Sequence, residues 1–481
     1  MIRSVPTLLS PLQEAHEISA GASRHEVSLG VTLLFATLLV GLILCLALEE
    51  KLHAKKSLIV ATFAIPSLLL AAFLGLLPYG PYQIGHEALD IPVFIPSIDW
   101  GVITIILGSS IFVDVTSRSG LFTWIAIRLT KASAGDPRRL LWFYGLMTVV
   151  FSAVLNNVTA MIIVGSLSGV SLDRLGRKDK LLGFLLIEGL LTNVGGLLTL
   201  ISSVPNIIVG TTAGISFMAF FEAAAPYVIV ATWITLFMGA RIFKIPKLTT
   251  LEEKEDALRL VESFDENDGI ESRRFFWFSS VMLVLFILAI ATTSAWHPLA
   301  DLGMGFVALF FAGAMLIRYK SQVDQYYQAV DWDLLAFFAG LFVFINVLEH
   351  AQVLAMIGHG LEHILSLGET AGSGALLVAS SAFSSVTDNI PLSAMLAKIL
   401  SGIPLESGLA RGPEDPMWWS IIFGANLGGN LTPIGSASTL VAVTLIHKYE
   451  IQLSFGAFVK KALPFAALQI LLAVAYVLLR F

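Results

Sequence analysis

The sequence predicts an all-α polytopic membrane protein: an inverted-topology repeat with two re-entrant hairpins and two broken transmembrane helices. Three observations predict it. The chain of 481 residues is 56% hydrophobic and 13% charged, with a mean hydropathy of +0.83, whereas a soluble protein carries roughly 25% charged residues. Several apolar runs exceed the ~18 residues that mark a membrane span. The third observation is internal repetition. VFSAVLNNVTAM at 150–161 resembles SSVTDNIPLSAM at 384–395, with Phe151, Ser152 and Asn157 falling on Phe383, Ser384 and Asn389 at a constant spacing of 232. In the same register Asp99-Trp100 falls on Asp331-Trp332 and Gly108 on Gly340. One position out of step, TNVGGLLTLISSVPN at 192–206 falls on ANLGGNLTPIGSAST at 425–439.

The elements follow in order. Residues 1–28 mix polar and apolar types and read as an external N-terminal segment without the apolar core of a signal peptide. Residues 29–243 form the first transmembrane repeat. Its first spans are 29–48 and 57–77, separated by the lysine-rich EEKLHAKK, which the positive-inside rule places in the cytoplasm. The connection 78–98 contains no Lys or Arg and is external. Residues 99–117 return inward. Residues 121–131 are too short to span at 1.5 Å per residue and read as an interfacial helix. Residues 139–172 lie between the basic stretches GDPRR and RLGRKDK. Both ends therefore sit on one side, which makes this a re-entrant hairpin with Asn156-Asn157 at its tip. Residues 181–210 cross outward, interrupted at Gly195-Gly196 and again at Pro205. Such a break is tolerable only beside a polar cavity. Residues 216–243 return inward.

Residues 244–274 form a polar cytoplasmic linker, and residues 275–481 repeat the plan upside down. The second hairpin, 372–401, enters from outside with Asp388-Asn389 at its tip, and 417–446 is the second broken helix. Both chain ends are then external. Lys398 and Arg411 are external exceptions, so the charge rule holds on balance. Two hairpin tips meeting two broken helices near the midplane is the architecture of a secondary transporter. The net charge of −6 sits mostly in loops. Cys45 is the single cysteine, which excludes intrachain disulfides and multi-thiolate metal sites. No HExxH motif, paired catalytic aspartates or serine/histidine arrangement is present, so the chain is not expected to be an enzyme.

Polar residues concentrate at the repeated places. At the tips, Asn156, Asn157 and Thr159 are expected to face Thr387, Asp388 and Asn389, where oxygens can coordinate a cation and amide N–H groups can hold an anion or a polyol-like solute. Asp388 is their only carboxylate. A charged Asp at the bilayer centre costs about 2.5–3.5 kcal/mol on insertion scales, an expense that is usually functional; the alternative is a simple helix cap. In the broken helices Gly195, Gly196, Thr199 and Ser203 mirror Gly428, Gly429, Thr432 and Ser436, with Asn430 beside them. Glycines let backbone carbonyls approach a ligand, or else let helices pack closely. Asp388, Glu188 and Asp114 are the candidates for ion or proton coupling, with Na⁺ at Asn157, Asn389 and Asp388 as one arrangement. Glu188 and Asp114 can equally be structural hydrogen-bond partners. No Arg or Lys is apparent at the tips to meet a carboxylate solute.

At these residues, from about Asp99 to Phe465, the chain resembles the arsenite permease and P-protein branch of the ion transporter superfamily. That superfamily also includes NhaD-type sodium/proton antiporters and divalent-anion/sodium symporters. The resemblance implies a scaffold subdomain, a mobile subdomain that moves by an elevator-type mechanism, and a homodimer. Family tips commonly read Asp-Asn in both halves; here the first reads Asn156-Asn157. P-protein relatives tend to have Gly-Asp where this chain has Ser202-Ser203. A two-carboxylate cation site is thereby weakened.

The resulting expectation is export of arsenite or antimonite across the cytoplasmic (inner) membrane by proton-coupled antiport. A pocket of Asn, Ser, Thr and one carboxylate suits a neutral trihydroxide. The alternatives are Na⁺/H⁺ antiport and sodium-coupled transport of an organic anion. No cofactor is expected beyond Na⁺ or H⁺ as coupling ion. The expected partners are a small inorganic solute, the lipid bilayer and a second copy of the chain; a soluble ATPase partner is left open, and no nucleic acid is expected.

Overall fold

The computed structural model describes residues 27–78, 82–84, 87–403 and 409–481. The expected external segment 1–28 lies almost wholly outside the described residues. Among the described residues eight helices are long and apolar enough to cross a membrane.

The first repeat contributes α1 (Leu29–Ala47), α2 (Lys56–Phe73), α3 (Trp100–Arg118), α4 (Leu121–Ala132), α5 (Pro137–Val154), α6 (Asn157–Arg174), α7 (Leu181–Gly195), α8 (Val204–Thr212) and α9 (Phe217–Ile242). The linker folds as α10 (Leu251–Glu262). The second repeat contributes α11 (Arg273–Thr292), α12 (His297–Arg318), α13 (Trp332–His350), α14 (Val353–Leu365), α15 (Glu369–Ser384), α16 (Asn389–Ser401), α17 (Pro416–Gly428), α18 (Ala437–Lys448) and α19 (Phe455–Arg480). Each helix of α1–α9 thus has a mate ten places later.

The helices sort into two bodies. Body 1 holds α1–α3 and α11–α13, with α2 packed along α13 and α12 along α3. Gly108 allows that last approach, because a Cβ there would meet the Ala308 backbone at 2.5 Å. Phe35, Leu39, Leu42 and Leu46 of α1 point inward, while Leu29, Leu33, Val40 and Leu44 remain exposed for lipid. Body 2 holds the hairpins α5–α6 and α15–α16, the broken helices α7–α8 and α17–α18, and α9 and α19. The repeats interlock, with α8 packing on α16 and α18 on α6 and α7. Pro226 and Pro464 lie inside α9 and α19, tolerated because neighbouring helices re-satisfy the freed backbone groups.

Several details differ from the sequence expectation. The first break runs from Gly196 to Ser203, and Pro205 falls in the first turn of α8, where its missing N–H costs nothing; it does not interrupt a helix. The loop ending at Lys56 is shorter than expected, because Lys56 already begins α2. Helix α14 has no counterpart in the sequence reading; it is the mate of interfacial α4. A short antiparallel ribbon pairs Tyr82–Ile84 with Glu87–Leu89 in the expected external connection. The linker is docked. Thr250 and Glu253 form a capping box at the start of α10, Glu266 pairs with Arg128 and Lys131 of α4, and the Leu248 N–H donates to Asp136 Oδ2 at 3.0 Å.

Candidate solute site at the hairpin tips and broken helices

Each hairpin packs against the broken helix of its own repeat, and hydroxyl side chains fasten the two together. Ser152 Oγ donates to the Thr192 carbonyl at 2.6 Å, and its mate Ser384 donates to the Ala425 carbonyl at 2.6 Å. Thr199 and Thr432, in the two broken turns, donate at 2.5 Å to the carbonyls of Ala153 and Ser385. The repeats are then cross-tied. Ser203 Oγ donates to Asn426 Oδ1 at 2.7 Å, and reciprocally Asn193 Nδ2 donates to Ser436 Oγ at 2.9 Å. Asn206 donates to the carbonyls of Gly196 and Thr199, freed by the break, at 2.7 and 3.0 Å. Thr439 Oγ1, the mate of that amide, lies 3.4 Å from the equivalent carbonyls of Gly429 and Thr432 and donates to the Ser436 carbonyl at 2.8 Å. The fastening bonds and the cross-ties each have a mate in the other repeat, so the two units share atomic chemistry as well as outline.

The glycines work by contact. A Cβ on Gly195 would meet the Val149 backbone at 2.7 Å, and one on Gly428 would meet Ser384 Cβ at 2.7 Å. Gly196 lies against the Asn157 amide and Gly429 against Ser436, where a Cβ would meet them at 2.7 and 2.8 Å.

These bonds divide the predicted site residues into two sets. Thr199, Ser203, Asn430 and Thr432 are buried and spend their polar atoms on the scaffolding of the breaks, a positioning role in place of the expected contact with solute. Asn430 receives Asn193 Nδ2 at 2.9 Å and donates to Gln469 Oε1 at 2.8 Å. Asn156, Asn157, Thr159, Thr387, Asp388, Asn389 and Ser436 retain exposure and form the set that a solute can reach. Asn156 and Asp388 are the N-caps of α6 and α16, accepting from the N–H groups of Thr159 and Ile390 at 2.7 and 2.9 Å. Four helices, α6, α8, α16 and α18, begin at the tips and breaks, and helix N-termini favour negative charge. The tips themselves do not join: among the described residues no hydrogen bond links Asn156, Asn157 or Thr159 to Thr387, Asp388 or Asn389. Asn157 turns instead to its own repeat, accepting from Ser152 Oγ at 2.6 Å.

The second tip meets a lysine, contrary to the sequence expectation. Lys56, at the start of α2 in body 1, forms an ion pair with Asp388 in body 2. Its side chain is 28% exposed and that of Asp388 11%. Glu49 lies 3.8 Å from the same ammonium, and Asp333 of α13 holds the neighbouring Ser57 hydroxyl at 2.5 Å. Lys56 opens an apolar run in the sequence, and nothing in its surroundings there signals that a residue 332 positions later will meet it.

The other coupling candidates lie elsewhere. Asp114 pairs with Arg118 on its own helix at 2.9 Å, in body 1. Glu188 is fully buried in α7, two turns before the break, and accepts a hydrogen bond from Ser168. Asn193, Asn426 and Asn206, which hold the crossing together, stand inside the repeated segments; the recurrence of Asn193 as Asn426 was a signal that could have found that pair, whereas Asn206 falls on Thr439.

An inverted repeat with paired hairpins and broken helices crossing at a polar centre defines a membrane transporter, not an enzyme. The chain belongs to the citrate transporter family, CitMHS, of the ion transporter superfamily, whose pattern matches residues 43–424. An uncharacterized transporter of Mycobacterium tuberculosis is 31% identical over 80% of this chain and 87% of its own length. The P protein of Mus musculus is 21% identical, over 79% of this chain and 54% of the P protein. The YdaH transporter of Alcanivorax borkumensis superposes over 89% of this chain and 98% of its own, with a TM-score of 0.60 at 14% identity, a likeness of fold.

Proposed function

We propose that the chain is a cation-coupled secondary transporter of a small organic anion of the citrate class. The observation that carries this reading is the Lys56–Asp388 pair between the bodies. A solute carboxylate competes with Asp388 for the Lys56 ammonium. Asp388 then needs a cation of its own, Na⁺ or H⁺, with Asn389 beside it. Removing one partner of a buried pair costs about 3–5 kcal/mol, and less where water reaches the pair as here. Either ligand alone leaves one charge unpaired, whereas both together satisfy the two. Such exchange of partners couples the two bindings. The family's description as citrate transporters supports the solute class.

The same pair bears on movement. Body 2 cannot shift along body 1 while the pair is closed, so ligand binding releases an elevator-type displacement. We place the chain in the cytoplasmic membrane with its basic face inward, as a homodimer.

Arsenite export by proton antiport is the second reading, favoured by the neutral amides and hydroxyls that dominate the set open to solute. Proteoliposomes loaded with imposed Na⁺ or pH gradients decide between them. Labelled citrate should accumulate and fall at least tenfold in Lys56→Met and in Asp388→Asn. Accumulation of arsenite without citrate overturns the lead in favour of export. A pH change on adding Na⁺, with neither solute moving, favours Na⁺/H⁺ antiport.

A further inference from the structure

The two repeats provide an internal control for every buried polar group. Where both copies use a polar residue, the fold needs it. Where one copy uses Leu or Ile at the same place, an apolar side chain can meet the packing, so the polar group has a role of its own, as Asn430, the mate of Leu197, has in the crossing. Glu188, Ser168, Ser171 and Tyr144 fall in the second class. Their mates at the same register are Ile421, Leu400, Ile403 and Leu376, and Ile421, Leu400 and Leu376 are buried. The polar members are at least as deeply enclosed: Glu188, Ser168 and Tyr144 are 0% exposed and Ser171 4%. A carboxyl has thus been placed in an apolar position that its mate fills without one.

These groups form a line. Ser168 donates to Glu188 Oε1, while Glu188 Oε2 has no hydrogen-bond partner among the described residues. Ser168 and Ser171 lie three residues apart on one face of α6, with about 5–6 Å between their Cβ atoms; among the described residues no direct hydrogen bond joins them, and the path proposed below requires one water between them. Ser171 Oγ meets Tyr144 OH at 2.7 Å, and Tyr144 OH meets Thr130 Oγ1 of α4 at 2.5 Å. Thr130 is next to Lys131, which pairs with Glu266 of the linker at the basic end of the molecule. Among the helices packed on α7, α5 supplies Tyr144 and α6 supplies Ser168. Helix α17 carries no titratable residue. Helix α9 carries the buried Tyr227, whose hydroxyl donates to the Gln469 carbonyl at 3.0 Å, and the charged residues and histidine of α6, α9, α18 and α19 lie within two turns of a helix end, as Asp173, Arg241, His447 and Lys461 do. Among the described residues none makes an ion pair with Glu188.

We infer that Glu188 is a proton-binding site of the transporter, filled from the basic face through the hydroxyls of Thr130, Tyr144, Ser171 and Ser168. The proton moves by hydrogen-bond exchange along these hydroxyls: each accepts one proton and passes its own onward, and Glu188 ends as the neutral acid. This deepens the reading of a cation-coupled transporter by adding a proton site separate from the solute.

Infrared spectroscopy of the full chain in liposomes tests the site without any solute. A carbonyl band of a neutral carboxyl should titrate with pH, vanish in Glu188→Gln, and exchange into D₂O at least tenfold more slowly in Tyr144→Phe. A band unaltered by Glu188→Gln overturns the site, and unchanged exchange in Tyr144→Phe overturns the path. The double variant Glu188→Ile with Ser168→Leu copies the second repeat and is expected to fold. In it, citrate uptake driven by a pH gradient should fall at least tenfold and lose its pH dependence; an unaltered pH profile overturns the coupling role. If the wild-type chain moves no citrate, the proposed solute has failed, and the spectra still decide the proton site.

Discussion

Asp388 and Asn156 cap equivalent helices, yet only Asp388 carries a charge, and only its tip reaches across to body 1 through an ion pair among the described residues. The charge is therefore more than a cap, since an amide does the capping work in the other copy. Lys56→Met and Asp388→Asn should each lower stability in detergent, by about 1–3 kcal/mol for a hydrogen bond to a charged group. The double variant should recover part of the loss, because neither charge is then left alone. A thermal-unfolding cycle over the four proteins measures the coupling; strictly additive losses would separate Lys56 from Asp388 energetically.

The breaks of α7 and α17 are set by close packing, which makes their glycines sensitive to a single methyl. Gly195→Ala should cost about 1–3 kcal/mol, the usual penalty for overpacking, because the Val149 backbone cannot retreat. Gly360→Ala on α14, where nothing lies within 4 Å, should leave the unfolding midpoint unchanged or raise it. The linker is held by charge. The Thr250 hydroxyl holds the Glu253 carboxyl below the ordinary carboxylate range, and the Lys131 ammonium does the same for Glu266. Carboxylates with depressed folded values stabilise docking above the unfolded value of about 4.3, and that contribution is lost as pH falls through the folded values. A spin label at Lys254 should be restrained at pH 7 and gain mobility below about pH 4. Thr250→Ala should move the onset of mobility to higher pH.

The molecule as a whole departs from the symmetry of its repeats. Ser57 at the start of α2 meets Asp333 at the start of α13, and that end of body 1 is the basic one, since Arg118 at the end of α3 covers the ring of Tyr326 just before α13. Tip 2 enters from the opposite end, where Lys398 pairs with Glu349 at the end of α13, and yet it reaches Lys56. On the proposed elevator reading, a second tip seated beside Lys56 at the basic end of body 1 is one end state. Replacing Cys45 by Ser, and Glu349 of α13 and Lys398 of α16, which pair at 3.1 Å between the bodies, by Cys allows a short bifunctional thiol reagent to join the bodies. Cross-linking should lock this state and stop transport, and reduction of a cleavable linker should restore whatever activity the uncross-linked variant has. A cross-linked protein that transports as well as the unlinked variant would argue against relative motion of the bodies.

The sequence by itself determined the class of this protein. Apolar runs long enough for a bilayer, and a repeat at constant spacing, sufficed for the inverted architecture, because hydrocarbon leaves the backbone few solutions and a repeated segment must fold alike twice. The tips, the broken turns and the paired glycines were legible for the same reason. Recurrence could not tell which polar groups face a solute and which are consumed within the crossing, since both kinds recur; burial alone separated Thr432 from Asn389 and Ser436. Tertiary structure also decided the partner of Asp388. That pair joins residues 332 positions apart and has no echo in the first repeat, and a contact made across two bodies depends on how they are placed against each other, which neither periodicity nor spacing encodes.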